Sequence, residues 1–181
     1  MKLVITGTPG TGKTSIAREL SHKLGCYLFE LNQIAEEKNL FTGETERGSK
    51  VVKLAALEKE VLKKTQDVES FVAEGHLACE FHIPCDAVLV LRANPLLLLK
   101  RMKKRGYSPE KIRDNLLCEI LDYCLLKTEL NYPPEKIIQI NASKNLSPKK
   151  ILGRINRIKS DKVDWAEMLL KNKQIQEALR E

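Results

Sequence analysis

Apolar residues fall along this chain in short runs separated by longer amphipathic stretches. Residues 2–6 form an apolar run that stops at a glycine-rich segment. Over residues 13–24 the period changes: Ile16, Ala17, Leu20 and Leu24 recur at helical spacing, and Gly25 is placed to end the helix. Tyr27-Leu28-Phe29 predicts a second strand and residues 31–39 a short helix. The polar stretch 42–49 predicts a loop, and residues 51–64 a helix. Phe71-Val72-Ala73 predicts a third strand. The run from Ala87 to Leu91 is apolar at every position and predicts a fourth, buried on both faces as in parallel sheets. Pro95 opens a helix to about Arg105, which Gly106-Tyr107 breaks. Ser108-Pro109 starts another, with Ser at the cap and Pro in the first turn, and the spacing carries it to about Leu130. Residues 136–140 predict a fifth strand, Ser147-Pro148 a helix to about Ile158, and residues 163–180 a last helix polar enough to lie on the surface. Strands alternating with helices predict βαβ units: a three-layer α/β/α domain around a five-stranded parallel sheet.

Where the first strand meets the first helix, Gly7-Thr8-Pro9-Gly10-Thr11-Gly12-Lys13-Thr14 satisfies the phosphate-loop (P-loop) spacing G-x-x-x-x-G-K-[ST]. Glycines let the backbone curl its N–H groups inward around phosphate oxygens, and the helix that follows adds the positive end of its dipole. Lys13 is the candidate cation for the β- and γ-phosphates of ATP, and the Thr14 hydroxyl the candidate Mg²⁺ ligand.

Two further segments carry candidate chemistry. The third strand ends in Glu74-Gly75-His76. An acid at that place, beside the first strand, holds the Mg²⁺ shell directly or through water, so Glu74 is the second metal candidate. Gly75 permits close backbone approach, and His76 is a candidate for positioning a water or a phosphate. His76, Cys79, His82 and Cys85 recur every three residues. Zinc sites pair their ligands on two separated arms, so this series reads as structural. Lys100-Arg101-Met102-Lys103-Lys104-Arg105 places Arg101 and Arg105 on one helix face. A planar guanidinium stacks on adenine, clamps phosphate oxygens or stabilises a transferring phosphoryl group. Lys103 and Lys104 read as solvated.

Composition narrows the class. The 181 residues suit one domain, and 43% hydrophobic content supports a real core rather than disorder. A formal charge of +7 suits a polyanionic ligand, nucleotide or RNA. No apolar run reaches the roughly 18 residues of a membrane span. Five cysteines, odd in number and without a Cys-x-x-Cys pair, read as reduced thiols of a cytoplasmic protein.

Gly7 to Thr14, Glu74-Gly75-His76, Arg105-Gly106-Tyr107 and the run K-I-x-x-N-x-x-x-E-I at residues 111–120 together resemble the adenylate kinase isoenzyme six family. That family comprises atypical small adenylate kinases also described as ribosome-assembly ATPases. The resemblance implies a core with an NMP-binding insert at about residues 30–53 and a lid at about 104–114. It implies ATP binding by Gly10, Gly12, Lys13, Thr14 and Ser15, with Arg105 contacting ATP from the lid. It further implies the reaction ATP + AMP giving two ADP, slow ATP hydrolysis, and a role in small-subunit rRNA maturation through a ribosomal protein. Glu74 stands where the family's eukaryotic members have Asp, and the insert holds a single arginine, Arg47, where ordinary adenylate kinases hold AMP with more than one. The residues alone leave three functions open: transfer between nucleotides, an ATP-driven assembly switch, and a P-loop kinase for another small acceptor.

Overall fold

A computed structural model describes residues 1–44, 50–144 and 146–180. β1 (Lys2–Gly7) leads through the glycine loop into α1 (Lys13–Leu24), which Gly25 ends in the left-handed conformation. β2 (Tyr27–Glu30) and α2 (Leu31–Glu37) follow, then an antiparallel pair, β3 (Phe41–Glu44) and β4 (Lys50–Val52), and α3 (Leu54–Thr65). Next come β5 (Phe71–Glu74), a 3₁₀ turn at His76–Cys79, β6 (Ala87–Arg92), α4 (Pro95–Lys104) and α5 (Pro109–Ile120). α6 (Tyr123–Asn131), β7 (Ile137–Asn141), α7 (Pro148–Ile155), α8 (Glu167–Lys171) and α9 (Lys173–Arg180) close the chain.

The main sheet has five parallel strands in the order β2-β5-β1-β6-β7, as the alternating pattern predicts. β1, β5 and β6 sit inside the sheet, and β5 and β6 are buried along their whole length. Alternate side chains feed two layers. Val4, Phe71, Ala73 and Val88 pack with Leu31 and Ile34 of α2 and Leu57 and Val61 of α3. Leu3, Ile5, Val72 and Leu89 face the other way, against Ala17 and Leu20 of α1 and Ile151 of α7. A third cluster joins α4, α5 and α9 beyond the end of β6.

Several predicted boundaries change. Residues 42–44 lie in a strand where loop was predicted; the rest of that stretch, including Arg47, lies outside the described residues. Val51 and Val52 pair with β3 rather than starting a helix, in keeping with their β-branched side chains. The helix predicted from Ser108 to Leu130 breaks after Ile120, where Asp122 takes a positive φ of 58°. The last helix is cut at Asn172, whose Oδ1 accepts from the Ile175 amide and caps α9.

The break after Ile120 has an electrostatic cause. Arg92, at the end of β6, is 1% exposed. Its Nε donates to Glu119 Oε1 at 3.0 Å, its Nη2 to the Glu119 carbonyl at 2.9 Å and to Asp122, and its Nη1 to Gln139 Oε1 at 3.0 Å. A guanidinium at that depth is tolerated only when its donors are met, so the chain turns where Glu119 and Asp122 both reach it. Glu119→Ala leaves this cation without its buried partner. It should destabilise the fold by about 3–5 kcal/mol, measured by urea denaturation followed by circular dichroism.

Candidate functional site: the phosphate loop and its surroundings

β1 ends in the sheet interior, so the loop that follows opens at the C-terminal edge, where ligands of open α/β sheets bind. Gly7 has φ +136°, and a Cβ there would lie 2.3 Å from the Leu91 carbonyl oxygen of β6. No other residue fits that approach. Gly10 and Gly12 also have positive φ, at 93° and 99°. Among the described residues, no backbone carbonyl takes the amide hydrogens of Gly10, Gly12, Lys13, Thr14 or Ser15. These donors stand at the start of α1, where helix geometry leaves them unpaired and the dipole is positive.

Lys13 is 8% exposed, and its Nζ donates to the Gly7 carbonyl at 2.9 Å and the Thr8 carbonyl at 3.2 Å. Burial lowers its pKa, and the neighbouring Cys124 thiol and Glu74 carboxylate pull the other way. The Thr14 hydroxyl donates to Glu74 Oε1 at 3.0 Å. Glu74 is buried, which raises its pKa; the Thr14 bond and the Lys13 charge oppose that rise. A hydroxyl and a carboxylate in contact are hard oxygen donors of the kind Mg²⁺ takes, so the pair fits that ion. A Cβ on Gly75 would lie 2.8 Å from Leu31 Cβ, so this glycine lets α2 close against the end of β5.

The loop thus brings together Gly10, Gly12, Lys13, Thr14, Ser15 and Glu74. Arg101 joins them from α4: its Nη1 donates to the Gly10 carbonyl at 2.8 Å. Arg105 does not; it lies at the C-cap of α4 with an exposed side chain and no hydrogen bond to the loop. His76 follows β5 in the 3₁₀ turn, and its carbonyl, rather than its ring, accepts from Thr6 Oγ1 at 3.2 Å. Burial, and then the Lys13 charge, push the His76 pKa down to about 4, so the ring is neutral at neutral pH.

Some site residues escape sequence reasoning. Glu30 ends β2 in register with Glu74, and Arg18 donates to its Oε1 from Nε at 3.0 Å and Nη2 at 2.9 Å. The signal was available, since Glu30, like Glu74, is an acid closing an apolar strand. Leu98 was also missed; its Cδ2 would be 3.3 Å from a Cβ on Gly10, and only the packing of α4 reveals it.

With this geometry in view, comparison places the chain. Residues 3–122 match the family model described as an AAA domain. The chain is 32% identical to a protein of Methanocaldococcus jannaschii named "Putative adenylate kinase", over 92% of this chain and 94% of that one. A protein of the same name from Pyrococcus abyssi is 37% identical over 93% of each chain. The chain belongs to this family. Its fold is also that of a shikimate kinase from Bacteroides thetaiotaomicron, at TM-score 0.59 and 18% identity, covering 94% of this chain and 98% of that one. A deoxyadenosine kinase from M.mycoides gives TM-score 0.56 at 18% identity, over 87% and 99% of the two chains. The AAA-domain match ends at Asp122, the residue where α5 gives way to α6. Among the described residues no helix is long and apolar enough to cross a membrane.

The His76 shift has a measurable consequence. Its folded pKa lies below the ordinary 6.5, so the unfolded chain takes up a proton first as pH falls. The stability held by the neutral ring is full above pH 6.5 and is lost between about pH 6.5 and 4. Glu74, with its raised pKa, has the opposite sign and remains in both proteins being compared. Wild type should therefore lose on the order of 2 kcal/mol more than His76→Gln across that window, the partly solvated ring reducing the full linkage value. Urea melts at stepped pH read the difference.

Proposed function

We propose that this protein is a nucleoside monophosphate kinase of adenylate kinase type, moving the γ-phosphoryl group of ATP to AMP to give two ADP, with slow ATP hydrolysis. The observation that carries the reading is the buried Lys13 ammonium, held inside the glycine loop beside the Thr14–Glu74 pair. The likeness to archaeal proteins named as adenylate kinases supports the choice of AMP as acceptor.

The chemistry asked of the protein is electrostatic. Phosphoryl transfer needs alignment and charge neutralisation more than proton transfer, and the attacking AMP phosphate is already anionic. Loop amides with no internal partner meet the ATP phosphates, and Lys13 exchanges carbonyl oxygens for phosphate oxygens. Thr14 and Glu74 would hold Mg²⁺, which when bound neutralises phosphate charge. Arg101 holds the loop's shape from outside. Arg105, exposed at the end of α4, closes from the lid at about residues 104–114, while the insert at about 30–53 receives AMP. Neutral His76 orients a water or phosphate beside the β5 end.

The resemblance of the Arg105-Gly106-Tyr107 and 111–120 runs to the isoenzyme six family extends the proposal to small-subunit rRNA maturation, with a ribosomal protein as partner. The +7 charge favours contact with rRNA. In this role ATP binding closes the protein on its partner and hydrolysis releases it. Pull-down from ribosomal extract with and without ATP reads it directly; no nucleotide-dependent ribosomal partner would count against it.

For the kinase reading, a panel of nucleoside monophosphates with Mg-ATP should show AMP as the preferred acceptor, measured by ADP production over an ATP-only control. Lys13→Ala should cut turnover by about 10²–10³-fold or more while circular dichroism stays unchanged. ADP production with AMP that does not exceed the ATP-only control would refute the assignment.

A further inference from the structure

Gly10 is touched by α4 at two points, the Arg101 guanidinium on its carbonyl and Leu98 beneath its α-carbon. α4 also packs against the C-terminal segment: Leu98, Leu99 and Met102 share one apolar cluster with Ile175 and Ala178 of α9. Ahead of α9, Trp165 Nε1 donates to Glu119 Oε1 at 3.2 Å. The same oxygen accepts from the Ala93 amide at 2.9 Å. Ala93 precedes Asn94, the residue that caps α4 through the Leu96 amide. One end of α4 is thus pinned by a hydrogen-bonded node that includes Trp165, and its body is backed by α9.

We propose that Trp165 is a positioning residue for ATP: through Glu119, and together with α9, it seats α4 so that Arg101 and Leu98 shape the donor side of the phosphate loop. This rests on the ATP-binding reading of that loop. The acceptor side is packed separately. α2 and Phe41 belong to a cluster with β5 and α3 that contains no residue of α4, α5 or α9. The influence of Trp165 therefore falls on ATP and spares AMP.

Trp165 is the single tryptophan of the chain, so its emission can be followed in the full-length wild type. Saturation with Mg-ATP, verified by calorimetry, should change that emission. Trp165→Phe keeps a ring in the cluster but removes the N–H donor. It should raise KM for ATP about three- to ten-fold, leaving KM for AMP and kcat within about twofold. In an Arg101→Ala background the same substitution should add less than its full loss, because part of the effect runs through Arg101. Three results would each overturn the proposal: emission unchanged at saturation, KM for ATP and AMP rising together, or full additivity with Arg101→Ala. The emission result needs no variant, so it decides even where Trp165→Phe folds poorly. Calorimetry with no ATP heat in the wild type removes the nucleotide reading itself, an outcome distinct from intact binding that ignores Trp165.

Discussion

The site depends on one buried cation. An ammonium only 8% exposed must find oxygen partners, and Lys13 finds them in the carbonyls of its own loop. Two carbonyls turned toward one ammonium require backbone that doubles back within six residues, hence the positive φ at Gly7, Gly10 and Gly12. The same curl leaves the amides at the start of α1 without carbonyl partners. A loop that points donors and a cation at one volume, and meets them poorly from within, is built for an external polyanion. The lowered Lys13 pKa and the raised Glu74 pKa have the same origin in burial. Phosphates and a divalent ion would relieve both, so ligand binding and relief of desolvation are one event.

A second buried cation organises the neighbourhood. Arg92 draws Glu119 and Asp122 to the end of β6 and so fixes where α5 stops. Because Glu119 also takes the Ala93 amide and the Trp165 indole, the requirement of one guanidinium ties the root of α4 to the C-terminal segment. The two cations lie at the ends of β1 and β6, which are neighbours in the sheet. Phosphate loop and C-terminal segment are therefore joined through packed side chains rather than through mobile connections.

The sheet and the loop were legible because their signals are local. Apolar runs mark β1, β5 and β6, and the spacing from Gly7 to Thr14 specifies a curl that the chain can make without help from elsewhere. Glu74 was legible because it closes a strand whose place beside β1 follows from the motif. What could not be read depends on partners far along the chain. The break at Asp122 answers to Arg92, thirty residues earlier. Val51 and Val52 carry a helical-looking spacing, yet their pairing with β3 prevails. Arg101 and Arg105 looked equivalent on one helix face, but Arg101 meets Gly10 while Arg105 reaches the solvated C-cap. The polarity of residues 163–180 predicted a surface helix and concealed Ile175 and Ala178, which are buried.

Donor and acceptor sides obey different constraints. Phosphates are the same in every ATP, so the loop that receives them is fixed by backbone geometry, and any sequence that makes the curl will serve. On the reading proposed above the acceptor is met by the segment after Glu30, where Leu31, Ile34 and Phe41 pack in their own apolar cluster and Leu31 lies against Gly75. Substitutions in α2, β3 or β4 can reshape that side without disturbing the curl. This separation accounts for a fold shared with a shikimate kinase and a deoxyadenosine kinase at 18% identity. The fold fixes where the phosphate loop lies, and on the proposed reading what receives phosphate must be read from side chains elsewhere. In this chain two carboxylates, Glu30 and Glu74, lie in register at the sheet's C-terminal edge, one of them already held by Arg18. On the reading proposed above, an anionic acceptor approaching that edge would need cations from the insert or the lid, which would couple acceptor choice to lid closure through charge.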